Sequence, residues 1–331
     1  MSRAGSPALS AILLMPRGFE ELAAMLSHLT AQTIADRLEV VLVHTPAGTA
    51  TIDHSAFAPF LAFKAVEVPA LPTVATGFVA GVEAASALIV AQVEDHVFLD
   101  PRWAQWMIEA HEAPCAAVAP RMRNGNPGSA TSWANFLVCF GEAAGIEARS
   151  AVESGPGHNT SYKRDILVRY GHELAQLYQS ERMFHYRLRG DGHTILAEPR
   201  AELAHVNISI FREAVAHAFL GGVLFGAYRA KTMGAAERIA RTLGAPLVPP
   251  LRLWRLLSGP GYRHVARSGS PARAFAVVAL LLLGHAAGEA AGYWGLVGGI
   301  ESRYEHFELH RLACLRAGEE ALLLNPVISR G

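Results

Sequence analysis

Glu94, Asp95 and His96 put two carboxylates and an imidazole at consecutive positions. Oxygen ligands with an imidazole suit a divalent cation such as Mg2+ or Mn2+. An apolar run, 87–93, precedes them and reads as a buried strand. Asp100-Pro101-Arg102-Trp103 follows and reads as a helix start, with Asp100 as a cap and Pro101 suited to the first helical position. The three residues therefore stand just past the carboxyl end of a strand in an α/β unit, where open α/β sheets take their ligands. Taken alone, the triplet reads more readily as a solvated acidic loop with a chance histidine.

The elements that must position this loop can be read on either side of it. Leu9–Met15 and 38–43 are apolar strand candidates, and 64–68 is a weaker third. Residues 20–29 carry Leu22, Met25, Leu26 and Leu29 at helical spacing, and a small-residue helix is expected from Val74 towards Ala87. Residues 116–119 form another short strand candidate. A glycine-, asparagine- and proline-rich loop follows at 124–128, and a second polar, glycine-bearing loop runs from Ser154 to Arg164. Helical patterns at 165–170, stopped by Gly171, and at 181–188 complete the alternation. Such alternation predicts an α/β sheet with crossover helices. Beyond a soft boundary near 206–210 the chain turns helical and rich in glycine, alanine and arginine.

The 331 residues carry no formal net charge, which argues against a nucleic-acid binder. Cys115, Cys139 and Cys314 lie far apart without metal-binding spacing and read as reduced thiols. The first apolar stretch ends at Pro16-Arg17-Gly18 and is too short for the core of a secretory leader. A cytoplasmic chain is expected.

The order of several fragments resembles the family-two glycosyltransferases with a GT-A fold, over roughly residues 8–230. The strand ending at Pro16, the Gln32-Thr33 turn, Glu94-Asp95-His96 and then Asp100-Pro101-Arg102-Trp103 are similar to that family's opening strand, "Q-T" turn, acidic metal motif and "P-x-W". The match is to a subgroup with Glu-Asp-His in place of Asp-x-Asp. Asn126-Pro-Gly-Ser129, Ser132-Trp-Ala-Asn135 and Gly157-His-Asn-Thr-Ser-Tyr-Lys-Arg164 fit the same subgroup. Glu181 falls where the family keeps its carboxylate base, and Pro199 with His205 resembles its last strand pair.

The resemblance implies metal-dependent, inverting transfer of a sugar from a nucleoside-diphosphate sugar. The metal candidates are Asp95 and His96, with His205 as an extra ligand and Glu94 nearer the nucleotide or sugar. Glu181 is the candidate base; as a bare sequence feature it is also a first-turn glutamate favoured by the helix dipole. Pro16, Arg17, Thr45 and Phe78 stand where the family meets the nucleotide. His158 and Asn159, with Lys163 and Arg164, are expected to line the acceptor or sugar pocket, an amide meeting hydroxyls and the cations meeting phosphate. Three departures matter. The second strand ends Val43-His44-Thr45 without a carboxylate, Phe78 replaces a diphosphate-binding arginine, and Arg17 is left to compensate. They keep open a second reading, a catalytically degenerate relative acting as a binding or scaffold partner.

The last third carries Arg241, Arg252, Arg255, Arg263, Arg267 and Arg273 with no acidic residue among them, interleaved with Leu251, Leu253, Trp254, Leu256 and Leu257. Arginine heads on leucine and tryptophan bodies suit a lipid headgroup interface. Residues 274–283 are continuously apolar but too short to span a bilayer. Gly284, Gly288 and Gly292 recur at four and form a close helix-packing face, with Gly222 and Gly226 as a matching notch, within one chain or between two. The overall expectation is a GT-A α/β domain over 1–209 and a helical extension over 210–331. The extension is expected to rest peripherally on the cytoplasmic face of a membrane through 241–300. The acceptor is expected to be a lipid-linked sugar or a cell-envelope glycan.

Overall fold

The computed structural model describes residues 5–258, 263 and 270–324. Arg267 of the arginine run and residues 1–4 ahead of the first strand lie outside the described residues. The strands are β1 (Leu9–Met15), β2 (Leu38–His44), β3 (Ala62–Glu67), β4 (Ile89–Gln92), β5 (Val97–Leu99), β6 (Ala117–Asn124), β7 (Ser150–Val152), β8 (Ser161–Lys163) and β9 (Ile195–His205). They form one sheet in the order β3-β2-β1-β4-β8-β6-β9-β5, with β7 also paired to β9.

β1, β2 and β4 are buried along their whole length. That follows from sequences apolar on both faces, as parallel strands covered by helices require. β1 pairs in parallel with β2 and β4, and β2 with β3. Their carboxyl ends therefore share one edge of the sheet. β8 runs antiparallel to both β4 and β6, so its amino end returns to that edge. Glu39, buried on β2, is satisfied by Ser10 Oγ, the Ser86 amide and hydroxyl, and Lys64 Nζ at 3.0 Å.

The α-helices are α1 (Ala23–Thr30), α2 (Val74–Ala84), α3 (Trp103–Ala110), α4 (Ala130–Ala144), α5 (Arg164–Arg169), α6 (Leu174–Tyr178), α7 (Glu181–Gly190), α8 (Phe211–Ala230), α9 (Ala235–Gly244), α10 (Val248–Ser258), α11 (Pro271–Tyr293), α12 (Ile300–Leu309) and α13 (Ala321–Leu324). The chain forms two compact units: Met1–Arg123 with Ile146–His205 and Glu319–Gly331, and Asn124–Gly145 with Val206–Gly318. The second takes in α4, which a break near 206–210 alone would leave with the first; α4 packs on α11, the longest apolar helix.

In the first unit Gln32 fixes the start of α3. Its amide nitrogen Nε2 donates to the Asp100 carbonyl at 2.8 Å and its Oε1 accepts from the Ala104 amide at 2.9 Å. Asp100 Oδ1 accepts from the Arg102 amide at 2.9 Å, so the helix begins at Trp103 rather than at Pro101. In the second unit α8 and α11 cross at near backbone contact. A Cβ on Gly222 or Gly226 would sit 2.1 or 2.3 Å from the carbonyls of His285 and Glu289; one on Gly288 or Gly292 would sit 2.0 or 2.2 Å from those of Phe219 and Val223. The glycine faces are thus occupied by each other within the chain.

Candidate functional site

The loop after β4 is pinned at both ends. The Val93 amide donates to the Ile12 carbonyl at 2.9 Å, and Val97 of β5 pairs with His205 of β9. This pairing sets His96 beside His205, their rings edge-on with centroids 4.7 Å apart. Glu94 lies between them, with Oε1 3.7 Å from His96 Nε2 and Oε2 3.5 Å from His205 Nε2. All three side chains are buried, and one donor atom from each falls within 4.8 Å of the others.

Asp95 meets the His96 ring on the side away from Glu94. Its Oδ1 lies 2.6 Å from His96 Nδ1. A carboxylate on Nδ1 fixes the tautomer with the proton there and leaves the Nε2 lone pair directed at Glu94. His96 Nε2 is buried and has no hydrogen-bond partner. An orphaned imidazole nitrogen beside a buried carboxylate and a second imidazole is a donor set that a divalent cation satisfies. Glu94, His96 and His205 offer the donor atoms of that set, while Asp95 meets the far nitrogen of His96.

The other side of Glu94 is built by the loop before β8. Asn159 Nδ2 donates to Glu94 Oε2. Gly157–Asn159 form a single tight turn, entered with Gly157 at φ +64°, a conformation that glycine adopts without strain. The turn delivers His158, whose Nδ1 meets Glu181 Oε1, while a His158 ring nitrogen lies within 4.8 Å of a Glu94 oxygen. Glu181 is the first residue of α7. His158 is thereby in contact with Glu181 and near Glu94.

One turn along α7, His185 holds the same loop from below. Its Nδ1 accepts the Gly155 amide at 3.2 Å and lies 2.9 Å from Ser154 Oγ; its Nε2 lies 2.8 Å from Tyr162 Oη. Because the amide can only donate, Nδ1 is unprotonated and Nε2 carries the hydrogen. Full burial, then the Arg182 charge, lower the His185 pKa to about 3. Burial, then Glu181, hold the Tyr162 phenol well above its ordinary range. Both groups stay neutral and act as a fixed floor.

The remaining expected residues divide by sheet edge. Pro16 and Thr45 follow the carboxyl ends of β1 and β2, on the edge that carries Glu94. Arg17 stands there too, paired with Glu21 at 2.7 Å. Burial raises the Glu21 pKa against Arg17, and the Asp95 charge adds to the rise, which places the pair beside the acidic loop. Phe78 lies in the core. It is fully buried and stacked on Tyr178 with centroids 4.3 Å apart. The glycine face of α2 lies on β1, where a Cβ on Gly81 would meet Ile12 Cγ2 at 2.3 Å, and the neighbouring face carries Phe78 inward.

Lys163 and Arg164 also depart from expectation. β8 runs antiparallel to β4, with Ser161 opposite Ala91 and Lys163 opposite Ile89. Asn159 is therefore at the Glu94 edge and Lys163 at the opposite one. Lys163 Nζ donates to the Ala113 carbonyl at 3.4 Å, and Arg164 Nε and Nη2 donate to the carbonyls of Val82 and Glu83 at the end of α2. Both side chains thus meet backbone carbonyls on that side of the sheet. Sequence reasoning missed Gly157 and His185 as supports, and it missed Glu67. The register sets Glu67 beside His44, where it accepts from Thr49 Oγ1 at 2.7 Å, so a carboxylate does stand at the carboxyl edge of the parallel strands, on β3 instead of β2.

No protein-family model matches the chain, and no curated protein matches it in sequence. Among solved structures it is similar to the mannosyltransferase PcManGT from Pyrobaculum calidifontis in complex with GDP-Man and Mn2+. The TM-score is 0.54 at 17% identity, over 88% of each chain. A weaker likeness, TM-score 0.39 at 16% identity, is to a mycobacterial protein, covering 62% of this chain and 69% of that one. The fold is GT-A-like: a mostly parallel α/β sheet with flanking helices.

Proposed function

We propose that this chain is a metal-dependent glycosyltransferase that moves a sugar, with inversion, from a nucleoside-diphosphate sugar to a lipid-linked or cell-envelope glycan. The observation that carries the reading is the buried Glu94–His96–His205 set, with its orphaned nitrogen, on the same sheet edge as Pro16 and Thr45 and joined through His158 to Glu181. The likeness to a structure holding a nucleotide sugar and Mn2+ supports it at the level of fold.

Glu94, His96 and His205 would hold the cation, and two imidazoles with one carboxylate favour Mn2+ over Mg2+. Bound there, the cation supplies charge to neutralise the leaving diphosphate. Asp95 keeps His96 in the ligating tautomer. Asn159 holds the second oxygen of Glu94 and limits its rotation. Glu181 takes the proton of the acceptor hydroxyl as that oxygen attacks the anomeric carbon and the bond to the diphosphate breaks. His158 orients Glu181 through Nδ1, so the carboxylate faces the incoming hydroxyl from a fixed position. The buried Tyr162–His185 pair keeps the turn carrying His158 from shifting.

A second reading, a degenerate relative that binds donor without turning it over, draws on Phe78 being core and on β2 ending without a carboxylate. A single experiment separates the two. Thermal unfolding is followed with UDP, GDP and dTDP and their sugars, with and without Mn2+, and product nucleotide is then assayed with the sugar that stabilises. Ligand bound only to the folded state raises the midpoint by mass action. A Mn2+-dependent shift with nucleoside-diphosphate release supports the enzyme, a shift without release the degenerate relative. No shift with any donor sinks both.

A further inference from the structure

The second unit carries a surface that sugar transfer does not use. From Arg238 to Gly288 the chain has seven arginines and no aspartate or glutamate. Along α9, the turn after it and α10, Leu243, Leu247, Leu251 and Trp254 recur at intervals of four, four and three, and all are exposed, Leu243 by 76% and Trp254 by 65%. These elements pack on α11, and Trp294 just past its end donates to Thr242 at the end of α9. The outer face of α11 adds Leu280 and Leu283, about half exposed. Arg255 and Arg273 stand exposed on the same two helices.

Among the described residues α11 is the one helix long and apolar enough to cross a membrane. Its inner face is nevertheless committed. Gly288 and Gly292 lie against the backbone of α8, and Glu289 pairs with Arg229 of α8 at 2.7 Å. To span, α11 would have to take α8 into lipid with it, together with Arg212, Glu213 and His217. Only its outer face is free to meet an apolar phase.

We propose that this face docks on the surface of an anionic lipid bilayer, apolar ridge immersed and arginines at the headgroups. Leucines and a tryptophan beside an all-cationic charge set are the composition of an interfacial, non-spanning contact. The charge also decides between occupants. A second copy would bring arginines against arginines with no acid on this stretch to answer them, whereas an anionic surface complements the exposed Arg255 and Arg273.

The test is sedimentation of the full chain with vesicles of phosphatidylcholine alone and with vesicles containing phosphatidylglycerol, at low and high salt. The chain is expected to pellet with the anionic vesicles, about tenfold more strongly than with the neutral ones, and to be released by salt. Leu247→Asp with Trp254→Asp, and separately Arg255→Glu with Arg273→Glu, are expected to lower binding by about tenfold or more. Their unfolding midpoints and circular dichroism should match the parent, since these side chains are exposed. Absence of binding to anionic vesicles, or undiminished binding by both variants, would overturn the proposal. So would dimerisation without lipid that Trp254→Asp abolishes, which would make a second copy the occupant.

Discussion

Gly157 lies directly against Glu181: a Cβ on Gly157 would stand 3.3 Å from the carboxylate carbon, and its φ of +64° is one that side-chain-bearing residues rarely adopt. The candidate base is therefore seated on a bare backbone. Gly157→Ala is expected to cost about 1–2 kcal/mol of stability through the left-handed strain alone. It should also push Glu181 off line, lowering kcat more than it raises the KM for donor. Urea unfolding and steady-state kinetics check both; unchanged kcat with lowered stability would remove Gly157 from the seat of the base.

The two carboxylates of the acidic loop should separate by variant. His96→Ala and Glu94→Gln each remove a donor atom from the three-residue set and are expected to abolish measurable Mn2+ binding in calorimetry. Asp95→Asn leaves that set intact and disturbs only the His96 tautomer, so a loss of about 10–100-fold in affinity is expected. Equal losses for Asp95→Asn and His96→Ala would restore Asp95 to the ligand set.

Arg164 gives the opposite kind of outcome. Its guanidinium donates to the Val82 and Glu83 carbonyls at the end of α2, across the sheet from Glu94. Arg164→Ala should cost about 1 kcal/mol of stability, as loss of charge-assisted capping does. kcat and KM should stay at the parent value. A rise in the KM for donor with unchanged stability would return Arg164 to the pocket.

How much of this was legible in the sequence depends on period and on register. β1 was readable to the residue, because seven positions, apolar but for Ser10 and followed by Pro16-Arg17-Gly18, admit little else. The acidic loop was readable for the same reason, as polar chemistry breaking an apolar strand. β5, β7 and β8 are three residues each and carry no period to detect. Without β8 the direction of 159–164 is undefined. A cluster contiguous in sequence then looks like a cluster in space, although an antiparallel strand carries Asn159 and Lys163 to opposite edges. The placement of Phe78 was hidden for a related reason. Its helix was identified, but the rotation that lays Gly77 and Gly81 on β1 is a packing fact, and it sends position 78 to Tyr178. His185 gave no signal at all, since a lone histidine on a helix is mute until its partners are known.

Acid should unfold the first unit through two histidines. Burial foremost lowers the pKa of both His111 and His185 to about 3, with Lys163 adding to the effect at His111. In the unfolded chain each titrates near 6.5. Between those values the unfolded state binds the extra proton, so stability is intact above about pH 6.5 and falls as pH drops towards 3. Each histidine should contribute a slope of up to about 1.4 kcal/mol per pH unit in that window. Urea unfolding at pH 7, 6, 5 and 4 should show the decline, and His185→Gln should flatten it. An unchanged slope in that variant would mean that His185 is protonated in the folded chain.

The α8–α11 crossing offers a paired test within one helix. A Cβ on Gly288 would fall 2.0 Å from the Phe219 carbonyl oxygen, whereas one on Gly284 would lie 3.9 Å from that of Val215. Both glycines sit in helical backbone, so alanine at either gains up to about 1 kcal/mol in helix propensity. At Gly288 that gain is overwhelmed, because backbone on both sides must move apart; overpacking of this kind costs about 1–3 kcal/mol and more where no side chain can yield. Gly284→Ala is therefore expected to leave the thermal midpoint unchanged or raised. Gly288→Ala should lower it by several degrees and loosen the Arg229–Glu289 pair beside it. If the two variants melt alike, the helices are not in contact at the glycine face, and the argument that α11 is held away from a spanning position loses its footing.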